Sequence, residues 1–82
     1  MCRNITILRG LEPAATSDEI EASARQYVRK VSGIRRPSDA TRDVFESAVA
    51  AIAAETATLL TALPPRRNPP KSVPPMRIHG KA

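Results

Sequence analysis

The chain has 82 residues, 41% of them apolar and 26% charged, with a net charge of +5. Its aromatic content is only Tyr27 and Phe45, so any core is aliphatic and Ala-based, and stability at this size is marginal. One small domain argues against a two-substrate enzyme with its own cofactor cleft, and a single Cys excludes an intramolecular disulfide or an internal zinc ribbon.

In chain order, the first apolar residues are Ile5, Ile7, Leu8 and Leu11. Thr16 and Glu19 then form a capping box, with Asp18 and Glu19 suited to the positive end of a helix dipole. Ile20, Ala24, Tyr27, Val28 and Val31 recur at helical spacing, Arg29 and Lys30 suit the last turn, and Gly33 supplies a left-handed stop before Pro37. The pattern predicts a helix over 17–32. Ser38 reads as the next N-cap, with Asp39 and Asp43 in the first turns. Phe45, Ala48, Val49, Ile52, Thr56, Leu59, Leu60 and Leu63 make one stripe, ended by Pro64-Pro65, and predict a helix over 39–63. The short connection makes the two helices antiparallel neighbours, pairing Tyr27 with Phe45, Ala24 with Ala48 and Ile20 with Ile52. At about 1.5 Å per residue the second helix outruns the first by about 13 Å. Leu59, Leu60 and Leu63 therefore overhang, and residues 3–9 are expected to cover them as a short lid helix or turn. Ile5-Thr6-Ile7 also alternates as a strand does, but has no partner strand.

All eight acidic residues fall between Glu12 and Glu55, and residues 1–63 balance to zero. The whole excess lies in residues 64–82, as Arg66, Arg67, Lys71, Arg77 and Lys81. Pro64-Pro65, Pro69-Pro70 and Pro74-Pro75 recur there every five residues, a pattern that favours polyproline II and an extended or disordered tail of about 50–60 Å. The expected organisation is an all-α helical domain over 1–63 and a basic proline-rich tail over 64–82.

The opening Met1-Cys2-Arg3-Asn4-Ile5, with Ala15-Thr16-Ser17-Asp18-Glu19-Ile20 and Tyr27-Val28-Arg29-Lys30-Val31-Ser32-Gly33, resembles a bacterial family catalogued as domain of unknown function 2277. The likeness covers residues 1–63, implies a small helical bacterial protein, and brings no activity with it. More distantly, Ile7-Leu8-Arg9-Gly10-Leu11 and the capped basic helix resemble the first half of a J-domain, which implies a short helix on a long antiparallel hairpin. The His-Pro-Asp tripeptide of that family is replaced by Ser32-Gly33-Ile34-Arg35-Arg36-Pro37, so its ATPase-stimulating activity does not transfer.

Cys2 is the one candidate nucleophile, since removal of Met1 would put an α-amine and Arg3 beside its thiol and favour the thiolate. No His, Asn or Asp takes a recognisable partner position, and a small buried anchor for the lid is the simpler role. Cys2 and His79 cannot complete a four-ligand zinc sphere. Glycines occur only at 10, 33 and 80, so no phosphate-cradling loop is present. Neither a cofactor nor a metal is expected, and the reading is non-enzymatic. Three contact surfaces remain. Across residues 47–63 the only charge is Glu55, and Ala50, Ala54, Ala57 and Thr61 are expected on the outward side, ready for a protein partner or a second copy. The tail cations Arg66, Arg67, Lys71, Arg77 and Lys81 suit RNA or an acidic surface, reading charge without sequence for want of aromatics. Arg25, Arg29, Lys30, Arg35 and Arg36 form a secondary basic patch at the end of the first helix. No charged-then-apolar leader and no run of about 18 apolar residues occurs, so the expectation is cytoplasmic, without membrane contact. An interaction module is the first expectation, an electrostatic RNA- or ribosome-associated factor the second, and a Cys2 redox or nucleophilic protein a distant third.

Overall fold

The computed structural model describes residues 5–79. Two helices, α1 (Ser17–Ser32) and α2 (Arg42–Ala62), form an antiparallel hairpin, and a short α3 (Pro75–His79) ends the fold. No strand occurs among the described residues, so the alternation in Ile5-Thr6-Ile7 produces no ladder. The fold is all-α.

Cap chemistry sets α1 as its sequence dictates. The Thr16 hydroxyl accepts from Glu19 N at 3.1 Å while Thr16 N donates to Glu19 Oε1 at 2.9 Å. Gly33 closes the helix at φ +74°, a left-handed conformation that costs a Cβ-free residue little, and its N–H donates to Arg29 O. The start of α2 differs from expectation. Ser38 caps nothing; its N–H donates to Thr41 Oγ1 at 2.9 Å, and Thr41 N donates back to Ser38 O at 3.1 Å. Residues 38–41 are thus spent on a side-chain-closed turn, and the helix begins at Arg42 rather than at 39.

The core has two parts. Ala24, Val28, Phe45 and Val49 are buried together, with Ile34, Ala48, Ile52 and Ala53 packed around them. Leu8, Leu11 and Ile20 form the second, with Ala15, Ala53, Ala57 and Leu60 against it. The lid is therefore real as packing, but it is an irregular segment with a turn at Arg9-Gly10 and not a helix. Residues 3 and 4 of the expected lid lie outside the described residues. The helix faces are rotated from the expected ones. Val28 takes the core place expected for Tyr27, which stays 49% exposed, and Ile20 is buried with Leu8 and Leu11 in a cluster that Ala53, Ala57 and Leu60 pack against. Leu60 is covered while Leu59 is 53% exposed.

Residues 64–74 carry no helix or strand, as paired prolines require. They do not project, however. The longest dimension of the described residues is 44 Å, less than residues 64–79 alone would span when extended at about 3.1 Å each, because the segment folds back along residues 9–14.

Candidate functional site

Four cations gather at the hairpin turn. Gln26, Arg29 and Lys30 lie three and four residues apart on one face of α1. The chain beyond Gly33 brings Arg35 and Arg36 round to the same side. Together these five residues line a groove of about 860 Å³. No carboxylate lines it, and its four cations make no ion pair among the described residues. Arg25, expected in this patch, is not part of it. Its guanidinium bridges Glu46 at 2.7 and 3.0 Å and Glu21 at 2.8 Å, tying α1 to α2. Those hydrogen bonds, Glu46 first, raise the Arg25 pKa further, and the same contact with Arg25 lowers that of Glu46.

The outward side of α2 holds Ala50, Ala54 and Thr61 exposed, as expected. Ala57 corrects the expectation: it is half-buried against Leu8, Leu11 and Ile20. The exposed positions also include Val44 at 70%, Ser47, Ala51 and Thr58. By length and composition α2 is apolar enough to cross a membrane, yet its inward side is packed on α1 through Phe45 and Val49.

The tail cations divide into two groups. Arg77 is bound: its Nε donates to Glu19 Oε2 at 2.6 Å, and its Nη2 to Glu19 Oε1, Pro13 O and Ala14 O at 2.8–3.1 Å. Glu19 is only 5% exposed, and the hydrogen bond from Arg77, more than any other contact, holds its carboxyl below the usual range. Arg66 lies flat on Gly10, where a Cβ would fall 2.8 Å from Arg66 Cβ, and its Nε donates to Asn68 O. Arg9 adds a bond from Nε to Pro64 O at 3.0 Å. Arg67 and Lys71 stay exposed. Cys2 and Lys81 lie outside the described residues. The Glu19–Arg77 pair escapes a reading of the sequence because 58 residues separate its members and Glu19 already has a local role in the capping box.

An apolar groove of about 310 Å³ runs between the lid and the hairpin, lined by Ile5, Leu8, Tyr27, Ile52 and Leu60 among others. Among the described residues no three His, Cys, Asp or Glu side chains gather as a metal site would require.

No curated protein and no solved structure matches the chain, and the J-domain likeness gains no support from them. A family model does match, over residues 1–78. That span passes the expected limit at residue 63 and takes in most of the proline-rich segment, in keeping with the binding of Arg77 to α1. On this match the chain belongs to the family described as Uncharacterized conserved protein (DUF2277).

Proposed function

We propose that the chain is a small non-enzymatic interaction module that assembles through the outward side of α2, its partner being a second copy of itself. One observation carries this reading. Val44, Ser47, Ala51, Ala54, Thr58 and Thr61 recur at alternating three- and four-residue spacing, all exposed and all uncharged, which is the spacing of a coiled-coil seam. Turned antiparallel about its midpoint, the seam faces Val44 with Thr61, Ser47 with Thr58, and Ala51 with Ala54. Small residues then meet small residues, and two helices can approach to about 8 Å. In the same pairing the flanking Glu55 faces Ala50, so no like charges meet. This self-complementarity favours a second copy over a foreign helix.

The one buried acid among the described residues supports a non-enzymatic role. Glu19 is buried, and its carboxylate is committed to Thr16 N and Arg77, which leaves it unfit to shuttle protons. A membrane-crossing α2 would forfeit the packing of Phe45 and Val49 on α1, which favours a module that does not span a bilayer. Sedimentation equilibrium tests the proposal. Wild type is expected to dimerise with concentration, and Ala54→Arg to be monomeric with unchanged helical content. A wild type that stays monomeric throughout the accessible range rules out self-assembly; a foreign partner displaced by the same substitution would then be the occupant.

A further inference from the structure

The cations of the hairpin turn are only half explained by the fold. Arg29 and Lys30 complement the negative end of the α1 dipole, but Arg35 and Arg36 lie past Gly33 and serve no such role. All four line one groove without a carboxylate. The Glu46 carboxyl feels Arg29 as well, but only after Arg25 and Arg42. The contrast with Arg25, bonded to two glutamates one turn earlier, is instructive: where a guanidinium serves the hairpin, an acid has been placed to meet it.

We propose that this groove binds consecutive phosphates of a nucleic-acid strand. Three of its four cations are arginines, whose forked donors match phosphate oxygens. The groove is open and lined only by polar and charged side chains, whereas pockets for small organic molecules have apolar walls and enclose the ligand. A phosphodiester strand supplies one negative charge per nucleotide, close enough for neighbouring phosphates to meet Arg29, Lys30, Arg35 and Arg36 together. No aromatic residue lines the groove, so bases are not stacked and recognition follows charge rather than sequence. No residue of the α2 seam or of the tail lines the groove, and in the tail Arg66 and Arg77 are turned to intramolecular work.

Fluorescence anisotropy with a labelled single-stranded oligouridylate, read from about 50 to about 200 mM salt, tests the site. With four phosphates neutralised, log K should fall against log salt with a slope of about −3. Arg35→Ala with Arg36→Ala lies in the exposed turn and should leave helicity intact. It should make the slope shallower by about 1.4 and weaken binding at least tenfold at low salt, about 0.7 in slope for each lost contact. Arg67→Ala with Lys71→Ala should change neither, and Ala54→Arg should bind as wild type does, which separates this site from the dimer. An absence of binding at low salt, an unchanged slope in the turn variant, or an equal loss in the tail variant overturns the proposal. Displacement of the strand by polyglutamate at equal charge concentration would overturn it too, in favour of an acidic protein.

Discussion

The Thr6 hydroxyl oxygen is buried with no hydrogen-bond partner among the described residues. Thr6 also lines the apolar groove between lid and hairpin, beside Ile5, Leu8 and Tyr27. A hydroxyl held away from water without a partner costs on the order of 1–3 kcal/mol. Valine has nearly the same shape and no hydroxyl, so Thr6→Val is expected to stabilise the fold by about 1 kcal/mol, a rise in melting temperature of about 4–8 °C. Thermal denaturation followed by circular dichroism measures it, and a lower melting temperature would show that the hydroxyl is bonded after all. Gly10 is a different single-residue constraint. Its φ of +85° and the 2.8 Å approach of Arg66 Cβ to a notional Cβ both demand glycine. A lid helix or turn over residues 3–9 is as far as the sequence leads; the turn at Arg9-Gly10 and the approach of Arg66 from 56 positions away are not legible in it.

Among the elements, the lid joins the N-terminal segment to the overhanging end of α2. Leu8 and Leu11 are buried with Ile20, and Leu60 and Ala57 close the cluster from α2. Removing the Leu8 side chain deletes buried methyl groups and leaves a cavity. Leu8→Ala should therefore cost about 2–4 kcal/mol, a large share of the stability of a domain this small. An unchanged unfolding midpoint in urea would show that the segment is not packed there. The need for a lid was legible, since helices of unequal length leave apolar residues uncovered. The caps of α1 were legible too, because a capping box and a left-handed glycine act within a few residues. The rotation of α2 was not. Leu59 and Leu60 are neighbours 100° apart, and Ala on every side contributes too little apolar contrast to decide which of them faces inward. Tyr27 and Val28 posed the same choice on α1. For the same reason the outward position expected for Ala57 fails, since it packs against the Leu8, Leu11 and Ile20 cluster, while Ala50, Ala54 and Thr61, farther round the helix, are exposed.

For the whole molecule, the decisive contact is the one that folds the C-terminal segment onto the body. Proline pairs specify an extended local conformation but not where it lies, so they lead to the expectation of a free extended tail, and the return of residues 64–77 onto the body is not legible in them. Arg77 fixes it by bonding to Glu19, Pro13 O and Ala14 O at the start of α1. Glu19 has its pKa lowered from the ordinary 4.5, chiefly by the Arg77 hydrogen bond. A carboxyl that titrates lower in the folded than in the unfolded chain contributes its stabilisation in full above the unfolded value. That contribution is lost as the pH falls through the lower, folded value. Acidification below 4.5 should therefore loosen the C-terminal segment from α1, with Glu46, also lowered by its bond from Arg25, adding to the loss between the helices. Glu19→Gln isolates the strap, because glutamine still completes a capping box with Thr16 but brings no charge to Arg77. At neutral pH this variant should keep its helical content while trypsin cuts faster after Lys71, and its stability should depend less on pH in the acid range than that of wild type. Equal cleavage rates for the two proteins would mean that the segment is held by its other contacts, Arg66 on Gly10 and Arg9 on Pro64, rather than by the ion pair.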